Sequence, residues 1–96
     1  MATITVLRPD EPAPPPSSVV LAERRPLPER PVIGLIDNGK PHARELLELL
    51  ADELRSRVGD TEVVLLRKRS AAYPIGGGQA SDMAARAHLV ISGVGD

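Results

Sequence analysis

The 96-residue chain has no cysteine, tryptophan or phenylalanine, and its aromatic content is the single residue Tyr73. Without cysteine there are no disulfides, thiolate metal sites or thiol redox chemistry within these residues. One aromatic ring leaves no stacking platform for bases or sugars. The formal charge of −1 excludes the broad basic field that marks nucleic-acid binders. No apolar run approaches the roughly 20 residues needed to span a membrane, and no secretory signal is visible, so a cytoplasmic location is expected. The core must be aliphatic.

What the chain does have is unevenly spread. Eight of its ten prolines (Pro9, Pro12, Pro14, Pro15, Pro16, Pro26, Pro28 and Pro31) lie in residues 1–31, a density that forbids helix and favours extended backbone. Residues 1–31 therefore read as an arm or linker and residues 32–96 as a domain. Within the arm, Thr3-Ile4-Thr5-Val6-Leu7 has the β-branched content of an edge strand, able to add to this domain or to a partner. Pro14-Pro15-Pro16 reads as a proline-rich linker in preference to a peptide ligand.

The domain is organised around Val32-Ile33-Gly34-Leu35-Ile36, an apolar run expected of a strand buried on both faces of a parallel sheet. It ends at Asp37-Asn38-Gly39-Lys40, which places a carboxylate, an amide and an ammonium at the carboxyl end of the strand, where open α/β sheets hold their ligands. Pro41 suits the first turn of the helix that follows. Over Ala43 to Val58, Leu46, Leu47, Leu50, Leu54 and Val58 form an apolar stripe, Glu53 and Arg57 stand at i,i+4, and Gly59 is the expected C-terminal cap. Glu62-Val63-Val64-Leu65-Leu66 is a second strand, closed by Arg67-Lys68-Arg69. Ser70 to Gln79, with Gly76-Gly77-Gly78, reads as a flexible loop. A short helix over Ala80 to Ala87, with Ala80, Met83, Ala84 and Ala87 inward, leads to a third strand, His88-Leu89-Val90-Ile91-Ser92, and a turn Gly93-Val94-Gly95-Asp96. The order βαβαβ makes half of a Rossmann-like or flavodoxin-like sheet, close to the lower size for a self-sufficient core. The expectation is a fold that continues or is completed by another chain.

Several motifs invite sharper readings. Gly34 to Lys40 has the spacing of a phosphate-binding P-loop, but Pro41 stands where serine or threonine would ligate magnesium and Gly34 falls inside the strand, which favours coincidence. Asp37 and Lys40 read equally well as an ion pair shaping the turn or as contacts to a small polar ligand. Gly93 and Gly95 form a second glycine turn at the same sheet edge. The basic triplet reads as a solvated loop start. His42 reads as an exposed first-turn residue in preference to a proton carrier, and His88 as structural. The two histidines lack the spacing of a metal site, and Ser92 has no base nearby for a nucleophilic role.

Taken together, Ile33-Gly34-Leu35-Ile36-Asp37-Asn38-Gly39-Lys40-Pro41, the leucine-rich helix and Val90-Ile91-Ser92-Gly93-Val94-Gly95-Asp96 resemble the N-terminal half of the UGSC family, bacterial proteins named for a selenocysteine-Gly-Ser-Cys motif in which cysteine often replaces selenocysteine. Asp37, Asn38, Lys40 and Pro41 fall in register with that family's Asp-Asn-Ser-Lys-Pro turn, whereas Gly39 lacks its hydroxyl. Gly93, Gly95 and Asp96 match the Gly-x-Gly-Asp that precedes the reactive residue. The resemblance implies thiol or selenol redox work, names no cofactor, and makes Asp37, Asn38, Lys40, Gly93, Gly95 and Asp96 motif-supporting residues and none of them catalytic. It also implies a selenoprotein truncated at its UGA codon and inactive alone. The alternative is a small non-catalytic subunit or binding module that docks a separate cysteine-bearing chain. The expected partners are thus a second protein chain or the missing C-terminal half, with homo-oligomerisation open and neither nucleic acid nor membrane expected.

Overall fold

The computed structural model describes residues 1–94. Three strands and two helices follow one another as β1 (Val32–Asp37), α1 (Ala43–Val58), β2 (Glu62–Arg67), α2 (Gly77–Arg86) and β3 (Leu89–Gly93). The strands form one parallel sheet in the order β2-β1-β3. β1 takes the centre because it has the longest run without a polar side chain, Val32 to Ile36, and from Ile33 onward it is buried throughout. Alternation along it sends Ile33 and Leu35 into a cluster with Leu47 and Ala51 of α1. Gly34 faces the opposite way, against Met83 and Ala87. The helices therefore cover opposite faces, as the expectation of a strand buried on both sides requires.

The outer strands are less covered than their composition suggests. Leu65, Leu89 and Val90 are exposed, because both helices pack mainly over β1. The α1 stripe also differs from its sequence reading. Ala43, Leu47 and Ala51 are buried and Leu54 packs beside them, while Leu46, Leu50 and Val58 face outward. A narrow three-stranded sheet can cover only one line of side chains, and the i,i+4 row 43-47-51 with small alanines lets the helix approach closely.

Local geometry follows the residues. Pro41 precedes the helix instead of opening it. The Ala43 N–H donates to the Lys40 carbonyl at 3.1 Å, closing a turn with Pro41 at its second position and His42 at its third, φ 63°. This is the φ pattern of a type II turn, in which proline suits the second position. At the other end Gly59, φ 90°, donates to Arg55 at 2.9 Å as the cap, and Glu53 pairs with Arg57 at 2.9 Å. α2 begins three residues before the sequence pattern places it. Gly77 and Gly78 are helical, and the Gln79 side chain accepts from the Gly76 N–H at 3.1 Å, fixing what reads as a mobile glycine run. Of the four residues expected to face inward only Met83 is buried; Ala87 is half-buried, and Ala80 and Ala84 are exposed.

Residues 1–31 carry neither helix nor strand, and all but Pro31 are exposed. Thr3 to Leu7 is unpaired. No helix among the described residues is long and apolar enough to cross a membrane.

Candidate functional site

The order β2-β1-β3 puts a topological switch point between β1 and β3, since the chain leaves β1 toward β2 on one side and returns to β3 on the other. Ligands of open α/β sheets sit in the crevice at the carboxyl ends of such strands. Register places Asp37 beside Gly93 on one side and beside Arg67 on the other. Four of the six candidate residues are thereby assembled at one edge: Asp37, Asn38, Lys40 and Gly93. Gly95 and Asp96 lie outside the described residues.

Asn38 joins the two strand ends. Its N–H donates to the Gly93 carbonyl at 3.1 Å, and its side-chain amide donates to the Val94 carbonyl at 2.6 Å. The loop is also closed on itself. Asp37 Oδ1 accepts from the Gly39 N–H at 2.8 Å, and Asn38 Oδ1 accepts from the Lys40 N–H at 3.1 Å. Both are side-chain mimics of a backbone turn, for which aspartate and asparagine are the natural residues. Gly39 supplies the left-handed backbone, φ 81°, that such a loop needs. These bonds dispose of the P-loop spacing as a phosphate cradle: the N–H groups that would face an anion are occupied by the loop's own side chains. Gly34 lies in the core, and Pro41 has no N–H to offer.

Asp37 is the chemically distinctive group. Its carboxylate is buried, at 3% exposure, with Arg67 Nε 4.0 Å away and largely in solvent. Its main-chain carbonyl accepts from the Lys68 N–H at 2.7 Å. Arg44, on the first turn of α1, has its pKa raised, chiefly by its hydrogen bond and charge interaction with Glu48 and to a lesser extent by the charge of Asp37. Lys40 is half-buried and His42 exposed at the same edge. Composition read Arg67 as part of a solvated triplet; the signal missed was that both apolar runs end in a charge, Asp37 and Arg67, so that parallel strands starting in step bring the two together. Arg69 of that triplet stacks over Tyr73 at 4.3 Å from the ring centre.

His88 is structural, since its Nδ1 accepts from the Val32 N–H at 3.0 Å and its own N–H donates to the Val32 carbonyl at 2.8 Å. The described residues hold no group of three or more metal-ligating side chains. The site thus offers a buried carboxylate, an amide clamp and surrounding cations. It can position a neighbouring group or handle a proton, but it carries no strong nucleophile of its own.

In comparison with known protein families, residues 5–96 match the model of the UGSC family. No curated protein and no solved structure matches the chain.

Proposed function

The chain belongs to the UGSC family, and from that premise we propose that it supplies the carboxyl-edge scaffold of a thiol or selenol redox protein, holding the turn that leads to the reactive motif. The observation that carries this reading is the Asn38 clamp on the Gly93 and Val94 carbonyls. The family's chalcogen follows the Gly-x-Gly-Asp turn, so the clamp fixes the approach to it, and Asp37 borders the place where it would stand. A helix N-terminus after such a turn would lower the pKa of the thiol or selenol. The chain contains no cysteine, so this chemistry requires the motif either in sequence joined to these residues or in a second chain docked on them. Either way, these 96 residues alone are inactive.

The exposed outer strands favour keeping the second arrangement, a non-catalytic module that docks a cysteine-bearing chain. Intact-mass analysis of the native protein from its own source, grown with selenium, separates the two. A substantially larger mass with the selenium isotope pattern supports the joined motif, translated through UGA. A mass near 10.2 kDa removes that arrangement and leaves the docking module. A larger mass whose added sequence carries neither selenocysteine nor cysteine overturns the redox reading.

A further inference from the structure

Val63-Val64-Leu65-Leu66 in β2 contains no proline, glycine or charge, and only Glu62 and Arg67 at its ends are charged. Its inner side pairs with β1, and among the described residues nothing pairs with its outer side. Proteins protect such edges with charge, proline or bulges, or cover them, because an open apolar strand is a template for another. β2 has none of the first three devices in its centre. Covering remains.

The same chain carries a strand-forming segment with no strand to join. Ile4, Val6 and Leu7 are 87%, 70% and 91% exposed, and no residue of the arm is in a strand. From Thr5 onward this segment lies within the extent of the family match, as β2 does. Within one copy the segment stays away from the sheet: the radius of gyration is 18.9 Å and the long dimension 70 Å, against a radius of about 13 Å for a compact chain of 100 residues. The cause is in the connection. Residues 8–31 are rich in proline, which stiffens a linker into an extended spacer; fully extended it reaches on the order of 80 Å. A stiff spacer opposes folding back and suits crossing to a neighbour.

We infer that the Ile4–Leu7 segment of one copy adds as an outer strand to β2 of a second copy, and that the exchange is reciprocal. Each copy then gives one strand and receives one, which closes as a two-fold dimer and leaves neither β2 edge open. A second copy is the occupant, in preference to a foreign peptide, because the chain itself carries an unpaired donor segment; of the two outer strands β2 is the acceptor, since residues 22–27 of the arm already line a hollow with residues 84–89 at the start of β3. The inference does not rest on the redox reading.

The test is sedimentation velocity, with light scattering, on the full protein at micromolar to submillimolar concentration. Val6→Pro and Leu7→Pro are made separately, since alternate N–H groups of an added strand face its partner and proline cannot donate. Val20→Pro is the control for stiffening the arm elsewhere. All three positions lie outside the core, so folding is preserved, as circular dichroism can check. The expected result is a dimer for the parent and Val20→Pro, half that mass for at least one of Val6→Pro and Leu7→Pro, and slow amide exchange at Ile4–Leu7 in the dimer alone. A monomeric parent overturns the inference, as does a dimer that survives both strand substitutions. A monomer with protected amides at Ile4–Leu7 also overturns it, by showing pairing within one copy.

Discussion

The side-chain amide of Asn38 donates to the main-chain carbonyl of Val94 across 2.6 Å, linking residues 56 positions apart in the chain. With the Asn38 N–H on Gly93 and the Asn38 Oδ1 accepting from Lys40, one residue fixes both the loop after β1 and the departure from β3. Asn38→Ala removes both side-chain bonds and should cost about 1–2 kcal/mol, each such bond contributing roughly 1 kcal/mol net. Asn38→Asp keeps the acceptor for Lys40 but turns an oxygen toward the Val94 carbonyl, so it should destabilise at least as much. Urea unfolding of the two variants checks the order; an Asp variant as stable as the parent would remove the clamp from the account.

Asp37 separates shape from charge. Asp37→Asn retains an oxygen for the Gly39 N–H and fills the same volume, so it should lose less than about 1 kcal/mol. Asp37→Ala leaves that N–H without its partner and should lose about 1.5–3 kcal/mol, the range for a hydrogen bond to a charged group. Thermal melts of both variants give the comparison. Equal losses would mean that the carboxylate charge, through Arg67, holds the loop, and not the turn hydrogen bond.

Gly34 is required by packing. A side chain there would collide with the Met83 sulfur and crowd the Ala87 methyl, because β1 and α2 approach too closely for a Cβ. Gly34→Ala should therefore destabilise by about 1–3 kcal/mol, as overpacked cores do. Met83→Ala opens a cavity and also costs stability alone, but in the double variant the losses should be clearly less than additive. Additive losses in a double-mutant cycle would sink this explanation.

His42 is the one non-glycine residue with positive φ among those described, at 63°. Its side chain makes no capping bond. A left-handed conformation costs an L-residue roughly 1–2 kcal/mol, which glycine avoids because it has no Cβ, a gain partly offset by glycine's greater unfolded-state freedom. His42→Gly should thus stabilise by about 1 kcal/mol or less in chemical denaturation. A loss on that substitution would show that the imidazole contributes contacts the turn depends on.

The order of elements was legible in the sequence because each strand is an apolar run closed by a charge or glycine, and α1 has a strong helical period with Gly59 as its cap. The turn residues Asp37, Asn38 and Gly39 were legible for the same reason: their side chains have few other local uses. What the sequence did not reveal was set by tertiary placement. Arg67 joins Asp37 only through strand register. Gly77 and Gly78 open α2 with Gln79 reaching back to the Gly76 N–H, a bond that offsets part of the glycine run's low propensity. Most of all, the many leucines of α1 make an apolar arc wider than the sheet it covers, so periodicity alone cannot choose the buried line.

That choice can be measured directly. Leu47 is 1% exposed within the cluster of Ile33, Leu35 and Ala51, whereas Leu46 and Leu50 are 43% and 42% exposed. Leu47→Ala should cost about 2–5 kcal/mol, the range for a buried leucine, and with seven buried apolar residues in the core among those described this is enough to abolish folding of a marginal domain. Leu46→Ala and Leu50→Ala should each cost less than about 1 kcal/mol in the isolated protein. The contrast identifies which face of α1 meets the sheet. If instead Leu50→Ala costs as much as Leu47→Ala, the outward leucines are covered in solution, and a second surface packs on α1 that a single chain does not supply.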